Sequence, residues 1–202
     1  MIKLYHAKNA RGVRVIWLLE ELGVPYAVER LEFKSAVLRS PEHMARHPLG
    51  QLPVLETDGV RFFESGAHVQ YLLEKYGQGR LEPQPGTPER AEYLQWFHFG
   101  EASLAAYVSH IVRQRFNDEG LEPSADILAY ARARLTAAAG VVDAALHDRP
   151  YICGDSFSAA DIMVGYGLVM SRIIRELPGE LNHVAAYLKR LKERPAYAIA
   201  WA

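Results

Sequence analysis

The sequence predicts a small α/β segment joined to an all-helical one, on three observations. Short β-prone runs alternate with amphipathic stretches as far as residue 76. Residues 77–88 then hold three glycines and three prolines in twelve positions, the composition of a linker. Every longer apolar pattern beyond them has a helical period.

Each element has its own local signal. Residues 2–5 are short and β-prone, and residues 13–22 read as a helix closed by Gly23, which tolerates the left-handed position after a helix. Residues 26–31 are a second strand candidate. Ser40-Pro41-Glu42 offers an N-cap, a first-turn proline and an acid matched to the helix dipole, so a short helix is expected to run to about His47. Residues 53–57 and 60–63 flank Asp58-Gly59, a two-residue hairpin signal. Ser65 is then expected to cap a helix reaching Tyr76. The order β-α-β-α-β-β-α combines a parallel crossover with an antiparallel hairpin, so the sheet is expected to be mixed.

Beyond the linker, Tyr93, Trp96, Phe97, Leu104, Val108 and Ile111 hold one face of a long helix. Ile127, Leu135, Val142 and Ala145 mark the next. Ser158 and Asp161 fit a capping box ahead of a further apolar helix. Leu181, Val184, Leu188 and Leu191 form a last stripe, stopped by Pro195. The expected division is residues 1–78, a linker at 79–87, and an all-helical segment at 88–202.

Composition excludes several classes. The 202 residues carry 23 Lys plus Arg against 24 Asp plus Glu, which leaves nucleic acid without a basic footprint. A single cysteine, Cys153, rules out a disulfide framework, a Cys-x-x-Cys pair and a thiolate zinc cluster. The first residues lack the apolar core of a signal peptide. The longest apolar run, residues 162–170, is far short of the ~20 needed to cross a bilayer. A cytoplasmic protein with no membrane partner is expected. His43 and His47 have helical metal-pair spacing, but no His-Glu-x-x-His accompanies them, so no metal is expected and they read as surface or supporting histidines.

Four motifs at these joints resemble those of the soluble glutathione transferases. They are Lys3-Leu4-Tyr5-His6 with Asn9-Ala10-Arg11-Gly12, then His47-Pro48-Leu49-Gly50-Gln51-Leu52-Pro53-Val54-Leu55, then Phe63-Glu64-Ser65-Gly66-Ala67, and Gly154-Asp155-Ser156-Phe157-Ser158-Ala159-Ala160-Asp161. The resemblance covers nearly the whole chain. It implies a thioredoxin-like first domain that binds glutathione, an all-α helical bundle after it, and a homodimer. Glutathione would be a co-substrate, with no other cofactor.

On sequence alone Pro53 reads as trans, because only about 5–6% of X-Pro bonds are cis in folded proteins. The resemblance implies cis, with the Leu52 backbone pairing the ligand's cysteinyl part as an added strand would. Ser65 reads either as a helix cap or, with Glu64, as the seat of the γ-glutamyl group at a helix start. Arg39 and Gln51 are candidates for the glycyl carboxylate; for Arg39 general priors favour a solvated surface residue instead. The resemblance implies that Glu101 reaches the ligand's ammonium across a dimer; a helix-surface pairing with His98 is the alternative.

The family activates the thiol with a Tyr, Ser or Cys after the first strand, and this chain departs from that pattern. Ala7, Ala10 and Arg11 occupy those positions. A free thiol near pKa 8.5 (about its ordinary value) is mostly protonated at neutral pH, so the thiolate needs other support. Asn9 offers amide donors, Arg11 a permanent charge, and the start of the first helix its amides. Asn9 as a helix cap and Arg11 as an ion-pair partner remain open. The expected activity is conjugation of glutathione to a small apolar electrophile in detoxification. A non-catalytic binding protein, or a glutathione-dependent isomerase or peroxidase, is the alternative. Tyr107, His110 and Phe99 are either walls of an electrophile site or core aromatics, and Cys153 reads as a small buried hydrophobe.

Overall fold

A computed structural model describes residues 1–116 and 118–202. The chain divides into two compact units: Met1–Gln78 with Pro195–Ala202, and Gly79–Arg194.

The first unit is the mixed α/β fold that the alternation predicts. Strands β1 (Ile2–His6), β2 (Tyr26–Arg30), β3 (Val54–Thr57) and β4 (Val60–Phe63) form one sheet in the order β2-β1-β3-β4. β1 pairs parallel with β2, as a crossover through helix α1 (Gly12–Leu22) requires, and antiparallel with β3, which in turn pairs antiparallel with β4 in the hairpin. The hairpin turn has φ of 55° at Asp58 and 80° at Gly59, the two positive values that Asp-Gly accommodates. α1 ends at Gly23 with φ of 69°, as its sequence predicts. This is the thioredoxin-like arrangement.

Several boundaries differ from expectation, each for a local reason. Residues 35–38 form a short helix, α2 (Ser35–Leu38), which four residues with one buried side chain are too few to announce. The helix begun at Ser40, α3 (Pro41–Met44), stops three residues before His47; Ser40 Oγ caps it by accepting from His43 N–H at 3.2 Å. The expected cap at Ser65 is corrected. Helix α4 (Ser65–Leu72) starts with Ser65 itself, Glu64 occupies the cap position with φ of 76°, and no side chain caps it. A π-helical turn, Leu73–Gly77, continues it.

In the second unit the long helix is interrupted. α5 (Pro88–Phe99) and α6 (Ala106–Phe116) are joined through a π-helical turn at Gly100–Ala105. Gly100 lies against α8 (Ala159–Ile173), so closely that an added Cβ would sit 2.5 Å from the Met163 carbonyl carbon. α7 (Ala125–Ala145) and α9 (Asn182–Lys192) complete the bundle. Asp161, fully buried in α8, accepts from Ile152 N–H, Ser158 N–H and Tyr187 O–H, each at 2.8 Å. The capping box expected at Ser158 is therefore present and anchors the preceding loop as well. Pro195 stops α9 and also opens α10 (Pro195–Ala200), which groups with the first unit. There Tyr197 meets Trp17 of α1 edge-to-face, with ring centroids 5.2 Å apart.

Candidate functional site

The sequence candidates, Arg39 and Glu101 apart, lie on three chain reversals of the first unit. After β1 the chain turns through residues 7–10, closed by Ala10 N–H to Ala7 C=O at 3.0 Å. Asn9 holds the left-handed position of that turn, φ 62°, which asparagine tolerates better than most residues. The turn accounts for the choice of Asn9 without the helix-cap role; α1 has no side-chain cap. Asn9 and Arg11 are both half-buried beside it.

The second reversal carries Gln51, Leu52 and Pro53. The Leu52–Pro53 peptide bond is cis, as the resemblance implied and the residues alone did not. Leu52 lies beyond the last β1–β3 pair, Tyr5 with Val54, so its backbone extends past the ladder. Gly50 precedes it at φ 59°, where an added Cβ would lie 2.5 Å from the Leu38 carbonyl oxygen. Ala7, Ala10, Leu38 and Leu52 share one buried cluster with Tyr5 and Val54. The turn after β1 is thereby packed against the cis-proline segment. Gln51 and Arg39 are both exposed, and Arg39 closes α2.

The third reversal is the β4–α4 junction. Glu64 is exposed, whereas Ser65 is buried and its Oγ accepts from Arg14 Nη1 at 3.1 Å. The positive φ of Glu64 is a strained backbone for a residue with a Cβ, and such strain concentrates where a side chain or amide must be aimed. The first amides of α4 and the buried Arg14 cation give this corner a positive potential. Arg14 carried no motif signal; a basic residue inside an otherwise apolar run, Val13 to Leu19, was the one hint available.

Histidines surround the second and third reversals. His43 and His47 are buried, which corrects the surface alternative, and His68 is buried on α4. Burial holds His68 down at about 4, and it also lowers His47, which Glu64 partly opposes. His6, at the end of β1, is held at about 4 by burial and by Arg30.

Glu101 lies in the π-helical turn of the second unit, half-buried. Tyr107 Oη accepts from Arg134 Nε at 3.2 Å, His110 is exposed, and Phe99 packs edge-on to Trp96. Cys153 is half-buried and burial pushes its thiol up to about 12, so it is not a thiolate nucleophile. Among the described residues no group of three or more His, Cys, Asp or Glu is placed to hold a metal.

The chain as a whole is matched in sequence and in shape. The pattern of the Glutathione S-transferase N-terminal domain matches residues 1–74, and that of the C-terminal domain matches residues 96–195. The chain belongs to the glutathione S-transferase family. Glutathione S-transferase 3 of Schizosaccharomyces pombe is 29% identical, covering 99% of this chain and 86% of that protein. The glutathione S-transferase-like protein OpS6 of Beauveria bassiana is 30% identical, over 96% and 92%. The glutathione transferase URE2P6 of Phanerochaete chrysosporium, solved with oxidized glutathione, superposes with a TM-score of 0.85 at 26% identity, over 99% and 94%. Membership supports a glutathione transferase-type function. Among the described residues no helix is long and apolar enough to cross a membrane.

Proposed function

We propose that the protein is a cytoplasmic, homodimeric glutathione transferase that joins glutathione to small apolar electrophiles in detoxification. The thiolate sulfur attacks the electrophilic carbon, the C–S bond forms as the bond to the leaving group breaks, and the thiol proton passes to solvent. The observation that carries this reading is the shared cluster of Ala7, Ala10 and Leu52, which packs the turn that holds Asn9 and leads to Arg11 against the cis-proline segment.

In this reading the Leu52 amide and carbonyl, turned by cis Pro53, pair the cysteinyl part of glutathione. The open amides at Ser65 take the γ-glutamyl carboxylate, with Arg14 beneath them, and Glu64 takes the ammonium. Arg39 and Gln51, both exposed, receive the glycyl carboxylate. Glu101 of the second subunit adds a charge near the ammonium. Asn9 donates to the sulfur and Arg11 favours the thiolate electrostatically. Division of the chain into residues 1–78, 79–87 and 88–202 goes with this assignment: a glutathione domain, a linker and a helical domain for the electrophile.

A steady-state assay with aromatic halides, epoxides and isothiocyanates tests the proposal. Glutathione-dependent turnover with at least one class is expected, and none with any class counts against it. Ala7 and Ala10, where the family places a tyrosine or serine hydroxyl, favour a second reading: glutathione binding without appreciable chemistry. Calorimetric binding with no depressed thiol pKa selects that one. Isomerase and peroxidase assays separate the remaining glutathione-dependent reactions.

A further inference from the structure

Three buried histidines brace the backbone on which the proposed glutathione contacts depend. His43 Nε2 lies 2.9 Å from the Gln51 carbonyl oxygen, and His68 Nε2 lies 2.9 Å from that of Phe62. A carbonyl only accepts, so both rings carry their proton on Nε2; their Nδ1 atoms are buried and have no partner. His47 is engaged from its other side. Its Nδ1 accepts from Leu49 N–H at 3.1 Å, which requires a bare lone pair there and again leaves the proton on Nε2. Exposures of 1%, 2% and 0% for His43, His47 and His68 keep bulk water away from these rings. The anchored groups are not scattered. Leu49 and Gln51 lead into cis Leu52–Pro53, and Phe62 leads into Glu64 at its positive φ.

We propose that His43, His47 and His68 are positioning residues for glutathione, three imidazoles of one tautomer that fix the backbone of residues 49–52 and 62–64. The inference rests on the glutathione site proposed above. Its acid-sensitive member is His47. A proton on Nδ1 would aim a donor at the Leu49 N–H, so the turn entering the cis bond must open. The groups facing His47 are His43 of α3, Glu64 at the β4–α4 junction and His68 of α4, with the Phe63 ring 4.5 Å away. Arg61 of β4 reaches the neighbouring Ala45 carbonyl. Glu64 is the one anion among them, and burial outweighs it.

The test is calorimetric titration of glutathione into the full chain at about pH 7 and about pH 5, for the wild type, His47→Asn and His47→Phe. Asparagine offers Oδ1 to the Leu49 amide and cannot charge. Wild-type affinity is expected to fall more than about twofold between the two pH values, and that of His47→Asn less than that. His47→Phe, which cannot accept the bond, is expected to bind about tenfold more weakly at both. The same pH dependence in wild type and His47→Asn overturns the proposal, as does wild-type affinity in His47→Phe. Should His47→Phe fail to fold, imidazole ¹⁵N spectra of the wild type at pH 7 decide: Nε2–H on all three rings is expected, and Nδ1–H on His47 overturns it. No glutathione binding by the wild type at any pH overturns the site assignment and this inference together, whereas binding with unaltered pH dependence in the variant overturns this inference alone.

Discussion

The guanidinium of Arg14 donates through Nη1 to Ser65 Oγ at 3.1 Å, joining the interior of α1 to the first residue of α4. Both groups are buried, so the bond fixes the rotamer of a hydroxyl at a helix start that no side chain caps. Arg14→Met removes the charge and the donor together. Hydrogen bonds to charged groups are worth about 1.5–3 kcal/mol, so urea denaturation is expected to show a loss of that order. Glutathione affinity is expected to fall about tenfold with it, because the positive corner weakens. Unchanged stability and affinity would remove Arg14 from the account.

Asp161 is the anchor of the helical unit. Its two carboxylate oxygens take the Ile152 and Ser158 amides and the Tyr187 hydroxyl at 2.8 Å each, with Ser158 Oγ at 3.1 Å. Asp161→Ala leaves those buried donors unmet, an expected loss on the order of 3–5 kcal/mol. Equilibrium denaturation is the check; a loss below about 1 kcal/mol would mean that the loop finds other partners.

Gly100→Ala tests the close approach of the π-helical turn to α8. The new Cβ would meet backbone of Met163 and Val164, at 2.5 and 2.7 Å, and backbone cannot rotate aside as a side chain does. Overpacking of this kind costs about 1–3 kcal/mol. A melting temperature equal to the wild type's would show that the two helices can separate at no expense.

Much of this was legible in the sequence where a local rule operates. Asp58-Gly59 forms the hairpin, Gly23 ends α1, and Ser158 with Asp161 makes a capping box, because each motif contains both partners of its own interaction. The rest depends on partners far along the chain. Arg14 meets a residue 51 positions away, and α10 is placed by Tyr197 against Trp17. His43 looks like a polar residue on a short helix until the Gln51 carbonyl is set above it. The cis bond at Pro53 was reached through resemblance, since nothing in the flanking residues distinguishes it from a trans strand start.

Stability is expected to depend on the buried histidines between pH 7 and pH 5. His6 and His68 are each held at about 4 in the fold, against about 6.5 unfolded. The unfolded chain therefore binds more protons in that window, and their contribution is full above about pH 6.5 and shrinks as pH falls toward 4. At pH 5 each is expected to have lost roughly 2 kcal/mol. The carboxyls of Asp58 and Glu176, lowered by their hydrogen bonds to Lys75 and Arg132, act in the same direction only below about pH 4.5. Urea denaturation at the two pH values, repeated with His68→Gln, isolates one share. A pH-independent midpoint would contradict the burial argument.

Central to the proposed function is the claim that this chain stabilises a glutathione thiolate without the hydroxyl or thiol whose positions Ala7, Ala10 and Arg11 occupy. Titrating the thiolate absorbance of bound glutathione against pH, in the wild type and in Arg11→Met, measures it directly. The bound thiol of the wild type is expected to ionise at least one unit below its free value of about 8.5, and Arg11→Met is expected to return about one unit of that shift. A bound thiol in the wild type that ionises where free glutathione does would contradict the claim.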